Sequence, residues 1–180
     1  GQYATAEART ALENDINVMM FSDNVSIEDE LELKQIAVEK GLLMMGPDCG
    51  TAVVNNIPLA FANVVRKGDI GIVGASGTGT QEITVVIDKL GGGITQALGT
   101  GGRDLSEDIG GLMMLQGIEA LKADPNTKVL LLLSKPPAPA IAKKMLEAVK
   151  GIDKPVVVDF IGGDPKMVED EGAIAAVSLE

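Results

Sequence analysis

Residues 69–80 read Asp69-Ile70-Gly71-Ile72-Val73-Gly74-Ala75-Ser76-Gly77-Thr78-Gly79-Thr80, an apolar run that gives way to glycines alternating with hydroxyl residues. A short apolar run closed by a glycine turn predicts a buried strand over 69–75. Helical patterning follows over 78–90. The same rhythm then repeats: a strand over 94–98, a helix capped by Ser106 and running to about Lys122, and a stop at Asp124-Pro125-Asn126. Next come a strand over 128–134 (KVLLLLS), apolar enough for burial on both faces, a helix over 137–150 and a strand over 155–161. Strands alternating with helices of this length build βαβ units, so the fold class is α/β, a parallel sheet with helices on its faces.

Upstream the pattern is less regular. Residues 3–14 are rich in Ala, Glu and Leu and predict a helix, and 16–21 (INVMMF) a short buried strand. Ser26, followed by Glu28, Asp29 and Glu30, predicts an N-cap with acids in the first turn, and Gly41 stops that helix. A strand over 42–45 ends in the turn Gly46-Pro47-Asp48-Cys49-Gly50. Residues 55–68 are expected to be irregular, with a domain boundary at Arg66-Lys67-Gly68 that divides the chain into 1–67 and 68–180. The first part opens on a helix and lacks an initiating strand, so the chain is expected to be an internal fragment.

The composition narrows the function. Acids outnumber bases 26 to 15, giving a formal charge of −11, and aromatics are 2% of 180 residues. Phosphate neutralisation by Lys and Arg and base stacking on rings carry nucleic-acid binding, so that class is set aside. No apolar stretch reaches the roughly 20 residues that span a bilayer, and a single cysteine fits a reducing, cytosolic setting. The absence of His removes a His general base, a Ser-His-Asp triad and His-ligated zinc from this chain. No segment has metal-ligand spacing.

In a parallel sheet, ligands collect beyond the C-terminal strand ends. There the turn Ser76-Gly77-Thr78-Gly79-Thr80 offers unpaired amides at a helix start, favouring phosphate or carboxylate, though a plain Ser-capped βα turn has the same pattern. It is not a Walker A loop, since no Lys follows the last glycine. The next strand ends in Gly99-Thr100-Gly101-Gly102-Arg103-Asp104. Arg103 is a planar cationic fork suited to an anion, or else a partner of Asp104. Lys135 stands after the third strand, either completing an anion site or solvated ahead of the helix. Cys49 is read as a small turn residue in preference to a nucleophile, because no His is present to activate it. Asp48 accepts a ligand hydrogen bond or caps the turn.

These residues carry a resemblance. Gly71-Ile72-Val73-Gly74-Ala75-Ser76-Gly77-Thr78-Gly79-Thr80-Gln81-Glu82 resembles the G-I-V-S-x-S-G-T-L-T-Y-E segment of succinyl-CoA synthetase alpha subunits. Met45-Gly46-Pro47-Asp48-Cys49-Gly50 resembles their I-G-P-N-C turn, Gly101-Gly102 their G-I-G-G loop, and Asp124-Pro125-Asn126-Thr127 their D-P-x-T turn. Within that superfamily, NVMMFSDNVSIEDE, GPDCGT, PLAFANV and GGRDLS resemble the FdrA-type acyl-CoA synthetase-like proteins. The resemblance implies a partial Rossmann-like CoA-binding domain followed by a flavodoxin-like ligase domain. It implies phosphate and acid binding at Ser76, Gly77, Thr78 and Thr80; the strand-end positions of Gly79, Gly101, Gly102, Arg103 and Lys135 add them to the same candidate site. It also implies CoA contacts at Ser22 and Asp23, and at Pro47, Asp48 and Cys49 of the turn.

The departures matter equally. Gln81 replaces the family tyrosine, Ser134-Lys135-Pro136-Pro137-Ala138 replaces the G-E-I-G-G glutamate segment, and the G-H-A-G histidine is missing. A phosphohistidine relay is therefore not expected within this chain. Three functions remain: a ligase acting on a small carboxylate with CoA and phosphate or an acyl phosphate, a carbamoyltransferase subunit working on oxamate and carbamoyl phosphate, or a non-catalytic scaffold. Each is expected to work with other subunits or as a homo-oligomer, the chain being inactive alone.

Overall fold

The computed structural model describes residues 1–179. The chain opens on α1 (Ala4–Glu13), followed by β1 (Val18–Met19), α2 (Ile27–Lys40) and β2 (Met44–Met45). Ser26 caps α2 by accepting from the Asp29 amide at 3.0 Å, and Gly41 ends it in the left-handed conformation, both as its sequence predicts. β1 and β2 pair in parallel as a separate two-stranded sheet. Leu12, Leu33, Ala37 and Met44 pack beneath it.

A second sheet of seven strands takes up most of the rest. β3 (Thr51–Val54) and β4 (Ile57–Ala60) form an antiparallel hairpin at its edge. The parallel strands β5 (Lys67–Gly74), β6 (Ile94–Gly99), β7 (Val129–Ser134), β8 (Val156–Phe160) and β9 (Ile174–Ala175) follow. The full order is β4-β3-β6-β5-β7-β8-β9. Its parallel part therefore runs second, first, third, fourth, fifth in chain order, the flavodoxin-like arrangement. α3 (Gly77–Lys89) covers one face, packing Ile83 and Ile87 on Ile72, Leu131 and Leu133. α4 (Leu112–Ala123) and α5 (Pro139–Val149) cover the other, with Met114, Ile118 and Met145 on Val73, Leu130 and Leu132. A short α6 (Pro165–Glu169) links β8 to β9.

Three expectations are corrected. Residues 55–68 are irregular only over 61–66: Asn55 and Asn56 both take positive φ, 51° and 63°, making the tight two-residue loop that matches strand twist in a hairpin with β4. Pro58 is tolerated because β4 is an edge strand. The division at Lys67/Gly68 cuts the larger sheet, since β3 lies before it and pairs with β6 at Val53 and Ala97. Ser106 does not start α4: Gly110 and Gly111 have φ of 73° and 72°, outside the helical region, and hold the helix back to Leu112.

Candidate functional site

Above the C-terminal ends of β5 and β7 the chain departs in opposite directions, α3 leading back to β6 while α5 leads on to β8. Such a divergence leaves a crevice at the strand ends. It is filled here by a cleft of about 410 Å³, lined by residues 48–51, 74–78, Gln81, Gly99, Gly101, Gly102 and Lys135, with Phe21 and Phe61 also on its wall. Six separate segments thus converge on one space.

Ser76 begins α3 and its hydroxyl oxygen accepts from the Gly79 amide at 3.3 Å. The plain cap reading is therefore realised, and it leaves the amides of Gly77 and Thr78 without intrahelical acceptors. Gly77 and Thr78 are exposed in the cleft. Thr80 is turned away from it: its hydroxyl donates to the Ser76 carbonyl at 2.8 Å and is buried, which removes it from the binding set. Gly79 is buried alongside and does not line the cleft.

Close approach sets the opposite wall. A Cβ on Gly99 would lie 2.5 Å from the Thr51 carbonyl oxygen and 2.6 Å from the Cys49 sulfur, so β6 reaches the 49–51 turn only as glycine. Gly101 has φ of 88° and packs on the Pro47 carbonyl, which presents Gly102 to the cleft. Gln81 Nε2 donates to Thr51 Oγ1 at 2.8 Å and ties α3 to β3. Thr51 and the two phenylalanines were not singled out from the sequence, and Gln81 was noted only as a departure from the family tyrosine. Only the Asn-Asn loop could have signalled Thr51, by marking a strand before it.

Arg103 does not face the cleft. It pairs with Glu30 Oε2 at 2.8 Å and donates to the Val25 carbonyl at 2.9 Å. It is not bound to Asp104 either, since Asp104 takes Lys34 Nζ at 2.8 Å and the amides of Met113 and Met114 at 3.2 and 2.8 Å. A carboxylate of α2 has claimed Arg103, and an ammonium of α2 together with the first amides of α4 has claimed Asp104. The carbamoyl-transfer reading thereby loses one of its two cations and keeps Lys135.

The expected CoA contacts divide. Asp48 and Cys49 line the cleft, whereas Pro47 is buried behind a cis Gly46–Pro47 peptide. Ser22 and Asp23 lie beside the turn but off the cleft wall, the Ser22 carbonyl accepting from the Asp48 amide at 3.1 Å. Cys49 is a free, buried thiol, and burial pushes its pKa above the ordinary value, opposite to what a nucleophile needs.

The CoA binding domain family matches residues 65–162, over half of the chain and including the glycine turn. The chain belongs to this family. The match falls almost wholly on the segment expected to be ligase-like and shares only residues 65–67 with 1–67. The chain is 62% identical over 172 residues to the uncharacterized protein YahF of Escherichia coli K12, covering 96% of itself and 33% of that protein. It is 25% identical over 154 residues to the ADP-forming sulfoacetate-CoA ligase subunit SauD of Bilophila wadsworthia, covering 81% and 50%. Alpha subunits of ADP-forming succinate–CoA ligases also match, at 24% to 28% identity. An ATP citrate lyase from Methanosaeta concilii, solved with (3S)-citryl-CoA, superposes with a TM-score of 0.80 at 17% identity, over 98% of this chain and 35% of that one. This chain therefore spans a third to a half of the curated relatives named here. Among the described residues, no helix is long and apolar enough to cross a membrane.

Proposed function

We propose that this chain supplies the acid- and phosphate-binding cleft of an FdrA-like acyl-CoA ligase. The observation that carries this is the convergence of the α3 start, the Gly101–Gly102 loop, the 48–51 turn and Lys135 on one cleft at the strand ends. The amides of Gly77 and Thr78, the positive end of the α3 dipole and the Lys135 ammonium would bind a phosphate or carboxylate. Such donors also stabilise negative charge that grows during acyl-phosphate chemistry. The CoA-contacting groups of this reading are Asp48 and Cys49 on the cleft, with Ser22 and Asp23 next to them. CoA would bring the thiol that accepts the acyl group. The protein would act with other subunits, as SauD is named a ligase subunit.

Isothermal titration of the intact protein with phosphate and with CoA tests this. Saturable binding of phosphate, weakened by Lys135→Ala, is expected. No phosphate binding, or binding indifferent to changes at Gly77 and Lys135, would sink it.

A further inference from the structure

Two of the three phenylalanines in this chain stand together at the mouth of the cleft. Phe21 is 59% exposed and Phe61 64% exposed, and neither joins a core cluster. Their rings meet edge to face, with centroids 5.4 Å apart and planes at 69°. Water-facing rings forgo the burial that normally makes phenylalanine favourable, so a paired exposure beside a cleft marks a surface for something else.

The pair is held by backbone, not by chance packing. Phe21 lies between Met20, whose carbonyl accepts from the Cys49 amide at 3.0 Å, and Ser22, whose carbonyl accepts from Asp48 at 3.1 Å. The Phe61 amide donates to the Gly50 carbonyl at 2.9 Å. A Cβ on Gly50 would lie 3.3 Å from the Phe61 ring and 3.6 Å from that of Phe21, so the glycine leaves room under both. Phe21 follows β1 of the small sheet and Phe61 follows β4 of the large one, and the two sheets each contribute one jaw.

We propose that Phe21 and Phe61 form an aromatic clamp that selects small carboxylates with a planar apolar body, aryl-substituted acids above simple aliphatic ones. This rests on the reading of the α3 start as the anion site and adds the substrate class. The carboxylate would lie toward Gly77, Thr78 and Lys135, and the ring would pack against the exposed surface that the touching Phe21 and Phe61 rings present together. Asp48, on the same wall, repels a carboxylate that approaches from the Gly102 side and so helps set this orientation.

Equilibrium binding of acetate, phenylacetate and phosphate to the intact protein tests the clamp. Phenylacetate is expected to bind about tenfold more tightly than acetate, the upper range for one aromatic pair. Phe21→Ala and Phe61→Ala each reduce that preference several-fold and leave phosphate affinity unchanged. Phe21→Trp retains the preference, and because the chain has no Trp its emission reports occupancy directly. Equal affinity for acetate and phenylacetate, with phosphate still bound, overturns the clamp and leaves the anion site standing. A preference that survives both alanine variants overturns it as well. If no anion binds, the anion site itself fails and the substrate class falls with it.

Discussion

Lys34 Nζ and Asp104 Oδ1 lie 2.8 Å apart, and neither side chain reaches solvent. Lys34 also donates to Glu30 at 2.7 Å and to the Thr100 carbonyl at 3.0 Å. Asp104 in turn accepts from the first-turn amides of α4. One buried ammonium thus joins α2 to the loop that carries Gly101 and Gly102. Removing one member of a buried charge set leaves the others uncompensated, at about 3–5 kcal/mol. Lys34→Met is expected to lose stability of that order, read as a lower urea midpoint at unchanged m-value.

The Gly77 amide is testable without deleting a side chain. Ser76 before it is extended, with φ −137° and ψ 108°, a conformation that a following proline accepts. Proline at the first helical position loses no intrahelical bond. Gly77→Pro should therefore fold normally while losing one donor to the anion. Hydrogen bonds to charged groups contribute about 1.5–3 kcal/mol, so titration calorimetry should show phosphate affinity falling at least tenfold.

Lys135 and Asp48 carry opposite charges on one cleft. Lys135→Ala is expected to weaken phosphate binding and Asp48→Asn to strengthen it, each by roughly 1 kcal/mol at this exposure. Arg103→Gln should leave phosphate affinity as it was, because Glu30 and Val25 hold that guanidinium elsewhere. The same titrations at two salt concentrations check the assignment, since both effects should shrink with screening.

Adjacent glycines should respond differently. Gly101 needs φ of 88° and abuts the Pro47 carbonyl, whereas a Cβ on Gly102 meets only Asp48 Oδ2 at 3.6 Å. Gly101→Ala is expected to cost about 1–3 kcal/mol by strain and overpacking. Gly102→Ala should be tolerated. Thermal melts of the two variants decide this.

Asp159 is buried on β8, and its Oδ2 has no hydrogen-bond partner among the described residues. Burial raises its pKa above the ordinary carboxylate value. A raised folded pKa means that the contribution to stability is greatest with the carboxyl protonated and declines as pH rises through that pKa. Asn resembles the protonated form. Asp159→Asn should therefore stabilise the protein at pH 7, and urea denaturation should show the gain shrinking as pH falls toward about 4.

Local signals in the sequence determined the elements that local chemistry controls. Ser26 and Gly41 bound α2, the apolar run VLLLLS forms a central strand, and Ser76 starts a helix, because caps and periodicity act within a few residues. The parallel βαβ order followed from the same alternation. The Asn-Asn hairpin was legible in principle but was obscured by Pro58, which only the edge position of β4 makes acceptable. Tertiary structure alone decided which charges are free. Arg103 and Lys135 look alike in one dimension, yet a carboxylate 73 residues away holds the first and, among the described residues, none holds the second in the cleft. It also decided that Phe21 and Phe61, 40 residues apart, share a cleft mouth with Gly77 and Thr78. Partners distant in sequence leave no local trace, because hydrogen bonds, ion pairs and ring contacts depend on distance in space.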